Sequence, residues 1–238
     1  MMAIEDELLT EIQTTLGSSI TPSLRRSDPS GIFEGYILSL ILRAAVRMGA
    51  RNPIQYEDVH GNAPTIFEFR TSPGYIASRA RPYTHAIIEF PGKPVLEAHV
   101  GVLVEGESGV LHECDVAVLT REEAVRCRRE SRLAWSGSPA IWVSPSTARI
   151  VLSVECKFYR RANLDIDLAR SFLGLTSDMS SKCVKYFVAS TSSNSVEVLL
   201  NSKGKSWYSN ILPGAVGTEM LQGSFQKTFE NFITSRKW

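Results

Sequence analysis

The sequence predicts one α/β (α+β) domain: a central mixed β-sheet flanked by helices, with an irregular insertion. Three observations carry that prediction. First, LEAHVGVLVEG (96–106) and VLHECDVAVLT (110–120) are strand-like runs separated by ESG, a hairpin signal. Second, RIVLSVECKFY (149–159) and KYFVASTS (185–192) are two further strands, with the amphipathic stretch LDIDLARSFLGLTSDM (164–179) between them. A helical crossover of that kind pairs its two strands in parallel. Third, GIFEGYILSLILRAAVRMGA (31–50) is apolar enough to form a helix buried against a sheet.

The remaining elements follow in chain order. Ile4, Leu8, Leu9, Ile12 and Leu16 repeat at helical spacing over 3–16. The opening MMAIEDELLTEI is acidic and amphipathic, which predicts a helix and not a signal peptide. TPSLRRSDPSG (21–31) has the turn chemistry of a connector. The 31–50 helix should end near Gly49, with Glu34 near its first turn, where the helix dipole favours an acid. Residues 51–94 are interrupted by Pro53, Pro64, Pro73, Pro82, Pro91 and Pro94, with short strand-like pieces TIFEFR and HAIIEF. REEAVRCRRESR (121–132) predicts a short charged helix, SGSPAIWVSPSTA a loop, and FQKTFENFITSRK a terminal helix. One domain therefore spans 1–238: a helical part (1–50), an elaboration (51–94), a core (95–192) and a C-terminal part (193–238). No internal repeat interrupts it.

Composition bounds the function. The 238 residues are 43% hydrophobic and 21% charged, with 26 Lys+Arg against 25 Asp+Glu and a net charge of +1. No global basic bias exists, so a polyanion site must be a local patch. Cys114, Cys127, Cys156 and Cys183 form no CxxC and read as small buried hydrophobes in a reducing compartment. No apolar run approaches about 18 residues, so no membrane span is expected and the protein is read as cytoplasmic.

The chemistry is carried by charges placed inside strands. Glu155 and Lys157 lie two apart in VLSVECKFY and point the same way, while Val154, Cys156 and Phe158 point to a core. By the same alternation Glu113 and Asp115 share one face of the hairpin and Cys114 and Val116 the other. Acids on neighbouring strands repel unless a cation lies between them. Carboxylate oxygens suit Mg2+, or Mn2+. In that reading Asp115 and Glu155 hold the metal, the Cys156 main-chain carbonyl is an additional ligand, and Lys157 orients or helps deprotonate the attacking water. The plain alternative is a Lys157 salt bridge to Glu155 or Asp115 with no chemistry.

The series strand, Asp115, strand with Glu155-x-Lys157, helix, strand resembles the PD-(D/E)XK nuclease superfamily, whose fold is called restriction-endonuclease-like. The resemblance covers about 96–192 and, more loosely, 31–50. It implies metal-dependent phosphodiester hydrolysis, with double-stranded DNA as the expected partner. It also implies an extra acid from the first core helix, a place Glu34 would fill, with Glu97 and Glu113 as rivals. Stand-alone members often serve restriction or anti-phage defence. The alternative on the same fold is an inactive nucleic-acid-binding or assembly subunit, against which the complete Asp115, Glu155 and Lys157 set argues. A third reading is an effector whose 51–94 region senses a ligand or oligomerises, as a homo-oligomer or with a partner protein.

Candidate phosphate contacts are Arg160 and Arg161, which follow the Glu155-x-Lys157 strand, and Arg128 and Arg129 in the 121–132 insertion. His99 and His112 lie on opposite hairpin strands and could approach each other, but His60, His85, His99 and His112 all read as structural histidines. Trp135 and Trp142 read as loop anchors. SKGKS (202–206) lacks the first glycine of a phosphate loop and reads as a basic turn. No GxGxxG, GxSxG or HExxH occurs.

Overall fold

The structure is a computed structural model that describes residues 4–17, 19–20, 24, 29–70, 72–79, 82–133, 138–160 and 164–235. It is an α+β fold built on a seven-stranded mixed sheet. The strands of that sheet are β2 (Gln55–Glu57), β4 (His85–Ile88), β5 (Leu96–Glu105), β6 (Leu111–Thr120), β7 (Ile150–Lys157), β8 (Val184–Ala189) and β9 (Ser206–Tyr208), in that spatial order. β1 (Ser19–Ile20) and β3 (Ile66–Phe67) form a separate parallel pair. Pairing is antiparallel from β2 to β7 and parallel from β7 through β9. The expected hairpin is β5–β6, turning at Gly109 with φ +84°. The expected crossover joins β7 to β8 through helix α4 (Ile166–Asp178), capped by Asp165 accepting the Asp167 N–H at 3.0 Å. The 51–94 elaboration is less separate than its prolines suggested, since β2 and β4 extend the same sheet beyond β5.

One face carries α1 (Ile4–Leu16), α2 (Pro29–Arg47) and α6 (Val216–Thr234). Leu8, Ile12 and Leu16 recur every four residues, so one stripe of α1 is buried against α2. Pro29 opens α2, where a missing N–H costs nothing. Gly49, at φ +90°, closes it: Gly49 N–H bonds Val46 and Ala50 N–H bonds Ala45. α2 is long and apolar enough to cross a membrane by length and composition, but most of it is buried within the protein. The opposite face carries α3 (Arg121–Glu130), whose Ala124 and Cys127 pack near Ala117 and Leu119. There α4 and α5 (Asn194–Ser202) also pack on Phe187 and Ala189 of β8. The terminal helix α6 begins well before the expected segment, and its Phe225, Phe229 and Phe232 are buried on α2's side of the sheet. All four cysteines are free and buried.

One expectation about the hairpin fails. Cys114 and Val116 do not share a face: Val116 packs with Val100 below α2, and Cys114 packs with Val102 on the other side. The register stays constant on either side, yet Gly101 opposite Asp115 makes no ladder pair. Gly101 adopts φ +62°, a left-handed conformation in mid-strand, and this reverses the alternation of both strands at that level. A Cβ there would stand 3.5 Å from Arg70 Cβ, an ordinary contact, so a substitution is strained by the backbone and not by crowding. Gly101→Val is expected to cost about 1–2 kcal/mol in chemical denaturation. An unchanged midpoint would show that the reversal does not depend on glycine.

Candidate active site

Asp115 sits at the level where β6 and β7 part. The ladder between them ends at Val116–Val154, so residues 155–157 of β7 run on without an antiparallel ladder partner while β6 continues along β5. Lys157 turns its carbonyl to the β8 side, where it accepts the Ser190 N–H at 3.0 Å. Alternation then turns the Cys156 N–H and carbonyl toward β6. The Asp115 carboxylate fills the gap and accepts the Cys156 N–H at 2.7 Å. The Cys156 side chain is buried behind the strand, as expected, and its carbonyl faces the same gap as Asp115.

Lys157 and Glu155 share one face of β7, and their ammonium and carboxylate meet at 2.6 Å. Lys157 Nζ also lies 3.9 Å from Asp115 Oδ2. The three predicted residues are therefore together. Glu34 is the fourth. It does not lie in the first turn of α2, so the dipole argument does not place it. Packing does: Phe33, its neighbour, packs at a tilt against Phe158, the neighbour of Lys157, with ring centroids 5.6 Å apart. Burial, then the charges of Asp115 and Glu113, push the Glu34 carboxyl up to about 9, against the pull of Lys157. Burial and Glu155 push Asp115 up to about 7, although Lys157 and the Cys156 N–H oppose this. Glu113 is raised as well, by burial and then by Glu155. Burial works against the Lys157 charge, but Glu155 and Asp115 outweigh it and push it up to about 12.

Among the described residues, four acids thus act on one another beside the Lys157 ammonium, which lowers Glu34, Asp115 and Glu113 without offsetting their rise. The donors are carboxylate oxygens with a main-chain carbonyl beside them, which is the set a hard divalent cation takes. As they stand, these acids are spaced more widely than the ligands of a closed cage. The described residues have one metal-like set with all ligand atoms within 4.8 Å of one another, and it is His85, Glu97 and His99. Lys157, in contact with Glu155, takes the central position instead.

A carboxyl whose pKa is higher folded than unfolded stabilises fully below its ordinary value and loses that contribution as pH rises through the folded value. In EDTA, stability should fall as pH rises from about 5 through 7 and toward 9, as Asp115 and then Glu34 are forced to ionise. Added Mg2+ should reduce the slope. Melting temperatures across that range check it, and a slope unaffected by Mg2+ would count against cation binding by these acids.

The other candidates are placed differently. Glu97, a rival for the extra acid, is fully buried in another cluster with Arg128, His99 and His85. Arg128 forms a bidentate pair with it at 2.6 and 2.9 Å, so Arg128 is an internal counter-ion and not a phosphate contact. α3 starts where β6 ends, five residues beyond Asp115, about 16 Å along an extended strand. Arg129 on that helix is exposed but lies at the end of β6 away from Lys157. Arg126 is held by Glu123 and Glu130 within its helix. Arg160 does stand at the Lys157 end of β7, where its guanidinium meets Glu5 of α1 at 2.6 Å. Arg161 and Trp135 lie outside the described residues. Trp142 stacks on Tyr75 as a loop anchor. His112 bonds Asp178 at 2.7 Å and lies opposite Val104, far along the hairpin from His99. SKGKS is the turn from α5 into β9, with Gly204 at φ +59°.

Ser190 is a contributor that sequence reasoning missed. Its hydroxyl accepts the Tyr159 N–H at 2.8 Å and donates to the Tyr159 carbonyl at 3.0 Å. Together with the Ser190 N–H bond to Lys157, this pins the free end of β7. A serine one residue past the end of a parallel neighbour was the available signal.

No protein-family model matches the chain, and no curated protein and no solved structure matches it.

Proposed function

We propose that the protein is a metal-dependent nuclease with a restriction-endonuclease-like core, hydrolysing phosphodiester bonds, with double-stranded DNA as the substrate class. The observation that carries this reading is the convergence of Asp115, Glu155 and Lys157 on the gap between β6 and β7, with Glu34 and Glu113 beside them. Asp115, Glu155 and the Cys156 carbonyl would hold Mg2+, or Mn2+, with Glu34 as the additional acid. Bound there, the ion would supply charge stabilisation at the phosphate and acidify a water. Lys157 supplies a fixed positive charge on the same face, held by Glu155 until a phosphate competes for it. Ser190 and the Cys156 N–H bond to Asp115 keep the strand end and the acid in place without moving parts. The mild net charge suits a substrate engaged locally, and among the described arginines Arg160 stands at this end of the sheet.

The test is incubation of the protein with circular DNA, linear DNA and RNA, in Mg2+, Mn2+ or EDTA. Cleavage of DNA in either metal and none in EDTA is the expected result. Equal cleavage in EDTA would overturn the metal role, and cleavage of RNA alone would overturn the substrate class. Binding of DNA without cleavage in any metal would instead favour an inactive binding or assembly subunit.

A further inference from the structure

The residues outside the acidic site hold a second, independent constellation on the other side of β5. His85 of β4 and His99 of β5 are cross-strand neighbours, one step past the Ala86–Ala98 pair. Their rings stack with centroids 4.8 Å apart and 15° between planes. Glu97 shares their face, two residues from His99. Both Nε2 atoms approach one oxygen, Glu97 Oε2: His99 at 3.1 Å and His85 at 3.4 Å. All three side chains are at most 1% exposed.

Two features point to a ligand here. Neither ring nitrogen of His85 has a hydrogen-bond partner, although the side chain is buried and faces Glu97. A buried orphan of this kind calls for an unseen ion or water. Two of the three donor–donor distances, 3.1 and 3.4 Å, also match, and all three donors lie within 4.8 Å of one another. Tetrahedral zinc with nitrogen and oxygen donors at about 2.0–2.2 Å sets its ligand atoms about 3.4 Å apart. The outer partner of a metal-bound histidine is present as well: His99 Nδ1 lies 3.0 Å from the Tyr83 hydroxyl, which reaches the Ile76 carbonyl at 3.4 Å.

We propose that His85, Glu97 and His99 form a buried site for a borderline transition ion of the zinc class, separate from the acidic site on β6 and β7. Glu97 also accepts from the Arg128 guanidinium, at 2.9 Å on Oε2 and 2.6 Å on Oε1, and Arg121 stands 3.8 Å from Oε1. Two nearby cations weaken the carboxylate's pull on a hard ion, so imidazole nitrogen provides the main affinity. That selects Zn2+ or Co2+ over Mg2+. The ion would bridge β4 to β5 and so tie the 51–94 segment to the sheet. Its three protein donors leave a fourth position for water.

The test uses the full chain, stripped of metal and then given Zn2+ or Co2+ in excess Mg2+. The expected result is one tightly held equivalent of Zn2+ by elemental analysis, and a visible absorption band with Co2+. Asp115→Asn should retain both, while His85→Gln and His99→Gln should lose both. Tyr83→Phe should weaken binding by about 10–100-fold. Two results would overturn the proposal: no bound Zn2+ and no Co2+ band in the wild type, or the same equivalent retained by both histidine variants. Where a histidine variant does not fold, the wild-type Co2+ spectrum and the Tyr83→Phe affinity decide. Loss of DNA cleavage leaves these readouts untouched, so the two readings fail separately.

Discussion

Lys157→Met is expected to lower metal-dependent DNA cleavage by about 10²–10³-fold, the usual effect of removing one preorganised charge from a hydrolytic site. Asp115→Asn should reduce it to background, because it removes one of the two carboxylates proposed to hold the metal. Asn retains an oxygen that can accept the Cys156 N–H, so the local backbone need not move. Neutralising Asp115 also relieves repulsion from Glu155 and Glu113. Its melting temperature in EDTA should therefore equal or exceed that of the wild type. Activity and stability moving in opposite directions is the signature of acids crowded for function. Full cleavage by both variants would remove the site from the reaction.

In the metal-free protein Arg128→Met is expected to give the largest loss of stability, about 3–5 kcal/mol, because it leaves Glu97 charged and buried with its bidentate partner gone. Hydrogen bonds from His99 and Arg128 hold Glu97 well below the usual carboxylate range despite its burial, so it stays ionised at neutral pH. His85 offers no replacement charge: burial and its neighbour His99 push it down to about 3. Adding Glu97→Gln to Arg128→Met should recover part of the loss. Urea unfolding measures both variants. A loss under about 1 kcal/mol for Arg128→Met would mean that Glu97 finds another partner or water.

The two variants divide the structure along the line at which the sequence stops being readable. The hairpin and the crossover were legible because both are written in local periodicity, and Glu155 and Lys157 stood out as charges breaking an apolar strand. Asp115 was legible as the acid of the preceding strand, but its reach was not. That depends on β6 and β7 parting after Val116–Val154 and on a left-handed glycine across the hairpin. Strict alternation put Cys114 and Val116 together, and Gly101 undid it. Glu34 came from the resemblance. The reason for its position is the Phe33–Phe158 contact, a tertiary event with no local signal. The Glu97 cluster was legible only in pieces, as a rival acid and as structural histidines, and its assembly was not. It needs β4, a four-residue strand among prolines, to pair with β5, and it needs α3 to deliver Arg128 from thirty-one residues away. The arginines of α3 looked like a basic patch in one dimension, and in three they face Glu57, Glu97, Glu123 and Glu130.

The central claim is that a divalent cation belongs in the gap between β6 and β7. Crystals of the protein soaked in Mn2+ and measured for anomalous scattering test it most directly. The account predicts a peak at bonding distance from the Asp115 and Glu155 carboxylates and the Cys156 carbonyl, with Lys157 drawn off Glu155. A map with no peak there, and Lys157 still bound to Glu155, would contradict it.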